Sequence, residues 1–185
     1  RFFAFVAGQP RLKSQPETLL SYFFMKSFIP LIRSEWRLLM FGFLLMFFSS
    51  PGQTYFMALF SGEIRSEMGL SRGEFGGIYS LATLVSAAVL LWRGALIDRM
   101  DLRKFAYAVV TGLAIGCLLM ASSQGVVALF IGILLLRQFG QGLMYMTSTT
   151  AMVRYLDHQK GKANALSSMG SSVAEAALPS LAIML

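Results

Sequence analysis

The chain has 185 residues, of which 56% are hydrophobic and only 14% charged, and its formal net charge is +7 at pH 7. This composition excludes an ordinary soluble globular domain and indicates a chain that folds in lipid. With one cysteine and one histidine, the sequence offers no disulfide framework, thiolate metal site or nucleophile–histidine pair, so we expect neither an enzyme nor a metal or other cofactor.

Five apolar runs follow one another along the chain. About 20 apolar residues cross the roughly 30 Å hydrocarbon core as a helix, because a helix satisfies its backbone hydrogen bonds within the segment. The sequence therefore predicts an all-α integral membrane fold with transmembrane helices at about 38–60, 75–92, 105–122, 126–152 and 163–185.

The residues before the first run, 1–37, are predicted to form an N-terminal cytoplasmic tail. The chain begins with Arg1, and Met25 offers a start position just ahead of the first run. Residues 1–24 are therefore compatible with an upstream translated segment or a tag.

The first run carries a polar patch around Gln53, which lies about 22 Å from the cytoplasmic end if each residue rises 1.5 Å. Pro51 removes a backbone donor, so it is expected to kink this helix, and Gly52 follows it. We expect Gln53 to line a cavity, and two interpretations of Pro51-Gly52 stay open: an ordinary kink or part of a ligand site.

A charged hairpin separates the second and third runs. It reads Gly94-Ala-Leu96-Ile-Asp98-Arg99-Met-Asp-Leu-Arg103-Lys104. Gly-x-Leu-x-Asp-Arg followed by a basic pair resembles the loop between the second and third helices of major facilitator superfamily transporters. The resemblance implies a conformational latch in which Asp98 stabilises one of two access states through a helix of a second half. The latch residues are Gly94, Leu96, Asp98, Arg99, Arg103 and Lys104. The alternative is a basic loop that only sets topology.

Two further patterns concern helix ends and helix packing. Ser71 and Glu74 have the spacing of a capping box, which predicts the start of the second membrane helix. Small residues four apart, at Gly112 and Gly116 and at Gly170 and Ala174, predict close helix approach.

Polar residues also recur inside the last two runs. Arg137, Gln141, Tyr145 and Ser148 are spaced four, four and three apart, which predicts one polar stripe lining a cavity. Arg137 and Glu175 fall near the middle of the bilayer, where an unpaired charge is costly. We therefore expect them to face each other, a water-filled cavity or a ligand.

The fourth run carries a second resemblance to the same family. An arginine followed by a Gln-Gly pair occurs in the fourth helix of these transporters, and Arg137 with Gly140-Gln141-Gly142 resembles it. The family has two six-helix halves. The resemblance implies that this chain is most of an N-terminal six-helix bundle, truncated before its sixth helix, with the C-terminal half as a missing partner.

Basic residues alternate between loops. They are concentrated before residue 38, in the hairpin 93–104 and in the loop 154–162, whereas the loop 61–74 mixes two arginines with three glutamates and the turn 122–125 has no charge. This pattern predicts a cytoplasmic N-terminus and a cytoplasmic hairpin in a multi-pass protein of the cell membrane. Nucleic acid is not an expected partner, because no aromatic or groove-reading residues accompany the charges.

Together these features predict a secondary transporter that moves a small solute by alternating access. In this interpretation Arg137 faces an organic anion, and Glu175 is a candidate proton carrier. Two alternatives stay open: a scaffold or signalling protein that keeps the fold without transport, and a nonfunctional truncated product.

Overall fold

A computed structural model describes residues 16–94 and 96–184, and within these ranges the chain is helical with no strand. This confirms the predicted all-α fold. The helices are α1 (Pro16–Phe48), α2 (Thr54–Met68), α3 (Arg72–Gly94), α4 (Leu102–Ala121), α5 (Val126–Leu135), α6 (Tyr145–Tyr155) and α7 (Lys160–Met184). They are joined by 3₁₀ turns at Ser50–Gly52 and Asp157–Gln159 and by a π-helical segment at Leu136–Met144, hereafter the π segment.

Local sequence explains where two of these helices begin. The amide of Ser71 donates to Glu74 Oε2, and the amide of Glu74 donates to Ser71 Oγ. This reciprocal pair is the predicted capping box. At the start of α4, Asp101 Oδ1 accepts from the amide of Arg103 at 2.9 Å.

The first predicted span, 38–60, is not one helix. The α-helix ends at Phe48, a 3₁₀ turn follows, and α2 begins only at Thr54. Pro51 cannot donate a backbone hydrogen bond, and the hydroxyls of Ser49 and Ser50 turn back to the carbonyls of Met46 and Phe47. We call the interruption, residues 49–53, the break.

The fourth span forms the centre of the bundle. Residues Val126–Tyr155 run without interruption through α5, the π segment and α6. Helices α3 and α4 both pack on α5 and on the π segment, and α6 packs on α7. Leu129, Ile133 and Met152 are fully buried along this central helix.

Small residues allow the close packing that the sequence predicts. Gly112 lies under the ring of Phe139, Gly116 contacts Leu135, and Gly170 lies directly against the Phe43 carbonyl. Ala174, one turn after Gly170, is fully buried.

Among the described residues, three helices are long and apolar enough to cross a membrane: Arg72–Trp92, Leu102–Ala121 and Val126–Tyr155. They correspond to the second, third and fourth predicted spans. The first predicted span is divided by the break, and α7 lies where the fifth span was predicted but is more polar.

The chain divides into two compact units, Arg1–Trp36 and Arg37–Leu185. Within the predicted tail, residues 16–36 are helical, and the backbone departs from helical geometry at Glu35. Residues 1–15 lie outside the described part of the chain. The remaining description concerns the second unit.

The orientation predicted from the loop charges can be measured directly. In a Cys117→Ala background, Met100→Cys should be protected from an impermeant thiol reagent in intact cells, whereas Ser66→Cys should be labelled, because both side chains are exposed and the basic hairpin is expected inside. Labelling of position 100 from outside, with protection of position 66, would refute the orientation.

Candidate functional site

The break in the first span lies directly against the π segment. A Cβ at Gly52 would overlap the carbonyl of Leu136 and lie 2.6 Å from the amide nitrogen of Gln141. A Cβ at Gly140 would lie 2.8 Å from Gly52 Cα. Two irregular backbone segments therefore meet here through glycine, and π-helical segments are frequent at functional sites.

Arg137, the second residue of the π segment, crosses this contact. Its Nη1 donates to the carbonyl of Gly52 at 3.3 Å and to Thr54 Oγ1 at 3.1 Å. Its guanidinium carbon lies 5.3 Å from the centroid of the Tyr79 ring, which is cation–π distance. Arg137 thus connects the central helix to Gly52 and Thr54, the two neighbours of Gln53 in the chain, and to Tyr79 on α3.

The polar contacts of Arg137 form a small network. The hydroxyl of Tyr79 donates to Thr54 Oγ1 at 3.1 Å, so this oxygen accepts from both Tyr79 and Arg137. Arg137 Nε is buried and has no hydrogen-bond partner. An unpaired buried donor is unfavourable, so the guanidinium would gain stability from a further acceptor.

The N-terminus of α2 adds positive potential at the same place. Gln53 occupies the N-cap position with an extended backbone, but its side chain makes no capping hydrogen bond, and no acidic residue lies in the first turn. The amides of a first helical turn lack partners within the helix, and this end of the helix dipole favours anions. Arg137 and α2 therefore make the site attractive to a negative group.

The other predicted cavity residues differ in how far they are buried. Gln53 and Gln141 are half-buried, and the backbone of Gln141 contacts Gly52. Tyr145 is 48% exposed. Glu175 is exposed on α7, and neither of the ion pairs within the described residues includes it or Arg137.

At Ser148 the predicted polar stripe is buried between helices. That residue is fully buried, and its hydroxyl donates to the carbonyl of Gly42 at 3.0 Å. Ser148 therefore faces the first predicted span, as Arg137 does, but it is buried in helix packing instead of lining a cavity.

Gln138 and Tyr79 were not predicted from the sequence. Gln138 is 3% exposed; its Oε1 accepts from Ser86 Oγ at 3.1 Å, and its Nε2 has no partner. A glutamine inside an apolar run indicates a buried polar contact, so Gln138 could have been identified from the sequence. No sequence pattern distinguishes Tyr79 from the other residues of α3.

The hairpin forms a separate site at one end of α6. Asp98 Oδ1 lies 3.9 Å from Arg154 Nη2, and the same nitrogen donates to the carbonyl of Ile97 at 3.3 Å. A Cβ at Gly94 would lie 3.2 Å from the Met146 side chain. The other predicted latch residues are exposed: Leu96, Arg99, Arg103 and Lys104. In this structure the partner of Asp98 is thus Arg154 of the same chain.

Comparison with known protein families gives a match over nearly the whole chain. The family model described as Major Facilitator Superfamily matches residues 5–185. No curated protein and no solved structure gave a significant match.

Proposed function

The chain belongs to the major facilitator superfamily of multi-pass membrane transporters, and we propose that it moves a small organic anion across the cell membrane by alternating access, with an N-terminus in the cytoplasm. Members of this family are secondary transporters rather than enzymes. The anion and the alternating mechanism are the parts that we propose.

The placement of Arg137 carries the proposal. It lies eleven residues into the 30-residue helix Val126–Tyr155, which puts it about 17 Å from one end. A permanent charge at this depth is costly unless it is paired or used. Its described acceptors are neutral, namely the Gly52 carbonyl and the Thr54 hydroxyl, so its charge is not neutralised by them.

A carboxylate suits this site better than a neutral solute. The guanidinium is planar and binds carboxylates through two parallel hydrogen bonds. The uncapped N-terminus of α2 adds favourable dipole interaction. We assign Arg137 to the anionic group of the solute, and Gln53, Gln141 and Tyr145 to the wall of its cavity.

Glu175 is our candidate for proton coupling. Its carboxyl group is exposed on α7 and enters neither of the described ion pairs. In a complete transporter we expect this face to be covered by a second half, where the carboxyl group could take up and release a proton. No bound cofactor is required.

Uptake into proteoliposomes tests whether the protein transports a solute or only shares the fold of a transporter. The complete protein should take up one or more of acetate, benzoate, succinate and citrate faster than empty liposomes, and should take up glucose or choline no faster. Uptake of none of these solutes, with the protein shown to be inserted and folded, would favour a scaffold or signalling role.

The hairpin supports a second expectation about the transport cycle. Asp98→Asn and Arg154→Gln should each slow transport several-fold. The double variant should be no slower than Arg154→Gln, because both substitutions remove the same ion pair and only Arg154→Gln also removes the bond to the Ile97 carbonyl. Thermal stability should change little, since exposed ion pairs contribute only about 0–1 kcal/mol. Asp157→Asn, which removes the exposed Asp157–Lys160 pair, is the matched control and should transport normally. Normal transport by Asp98→Asn would leave the hairpin with a topological role only.

A further inference from the structure

We propose that Arg137 is also a clamp on the break, and that a bound anion must release this clamp, so that solute binding loosens the junction between α1 and α2. The inference rests on the proposed anion site and adds a competition within it. The competition follows from the hydrogen bonds that the Arg137 guanidinium already makes.

Both hydrogens of Nη1 are already donated. One points to the carbonyl of Gly52 and the other to Thr54 Oγ1. A carboxylate can approach a guanidinium on the Nη1–Nη2 edge or on the Nε–Nη2 edge. The first edge requires one of the two bonds of Nη1 to break, and the second contains Nε, which is shielded from solvent. Either approach requires the guanidinium to leave its present position.

The two acceptors lie on opposite sides of the helix junction. Gly52 ends the 3₁₀ turn, Thr54 begins α2, and Gln53 between them has an extended backbone. The junction lacks a side-chain cap at Gln53. Arg137 is therefore a cross-link that holds the two backbone segments at a fixed separation, and Tyr79 supports it by stacking and by its bond to Thr54.

The competition predicts that weakening the clamp strengthens anion binding. Part of the binding free energy is spent on breaking the bond to Thr54, so removing that acceptor in advance should tighten binding. The net contribution of a typical hydrogen bond corresponds to a change of about twofold to tenfold in the dissociation constant. This range applies to the bond between Arg137 and Thr54 because that bond is exposed to solvent. A direct contact between Thr54 and the solute would have the opposite effect.

The test measures anion affinity in the complete protein, purified into nanodiscs, by calorimetric titration with acetate, benzoate, succinate and citrate. Thr54→Val and Thr54→Ala, which remove the hydroxyl with and without the branched side chain, should lower the dissociation constant of any anion that the parent binds by about twofold to tenfold. Thr54→Ser keeps the hydroxyl and is the matched control, so it should bind as the parent does. Thr54 is exposed, so these variants should fold.

Hydrogen exchange gives an independent readout. Amides of residues 50–57 should exchange faster when the anion is bound, and faster in anion-free Thr54→Val than in anion-free parent. Weaker or unchanged binding by Thr54→Val and Thr54→Ala, with Arg137-dependent binding by the parent, would overturn the clamp and leave the anion site intact. Absence of binding by the parent would overturn both.

Discussion

Gly52→Ala is expected to destabilise the unit formed by residues 37–185 by about 3 kcal/mol, at the upper end of the usual cost of overpacking. The added methyl group would overlap the Leu136 carbonyl and press on the amide of Gln141 and on Gly140 Cα. All three are backbone atoms, which cannot rotate away as a flexible side chain could. The melting temperature of the protein in nanodiscs measures the effect.

Gly62→Ala is the matched control for this substitution. Gly62 lies on α2, and no heavy atom would lie within 4 Å of its Cβ. Alanine is favoured over glycine within a helix by about 1 kcal/mol, so this variant should be as stable as the parent or slightly more so. Equal melting temperatures for the two variants would contradict the backbone contact between the break and the π segment.

Arg137→Gln should reduce anion uptake at least about tenfold, because hydrogen bonds to a charged group contribute about 1.5–3 kcal/mol. Arg137→Lys keeps the charge but loses the planar fork, so it should recover only part of the uptake, and its stability should fall less than its uptake does. Arg65→Gln is the control: Arg65 is also half-buried and donates to a carbonyl, that of Ser61 in its own helix. Full uptake by Arg137→Gln would refute its role in transport.

Glu175→Gln distinguishes proton carriage from charge pairing. If Glu175 carries the proton, this variant should lose the dependence of uptake on an imposed pH gradient. Because the described ion pairs do not join Arg137 and Glu175, the stability changes of the two single variants should add in the double variant. A double variant that is more stable than the sum predicts would show a pair between them.

The sequence predicts the helical fold well because lipid imposes long apolar runs. The start of α3 follows from two residues, Ser71 and Glu74, whose pairing depends only on local geometry. Pro51 likewise indicates an irregularity in the first span, but its extent depends on packing: the chain can be interrupted over 49–53 because Gly140 provides a surface without a side chain.

The site was only partly predictable for a physical reason. Depth along a helix identifies Arg137, since charge within an apolar run is conspicuous. Its partners could not be derived, because Gly52, Thr54 and Tyr79 belong to other segments of the chain and reach Arg137 only through helix packing. Tyr79 and Thr54 become neighbours only through helix packing, 25 residues apart in sequence.

The most direct test of an anion site at Arg137 is the melting temperature of the purified protein in nanodiscs, with acetate, benzoate, succinate or citrate against sodium chloride at equal ionic strength. Binding to the folded state raises stability by mass action. At least one of these anions should raise the melting temperature of the parent and of Arg65→Gln, and none should raise that of Arg137→Gln. Equal stabilisation of Arg137→Gln and the parent, or no stabilisation of the parent by any of the four, would contradict an anion site at the break.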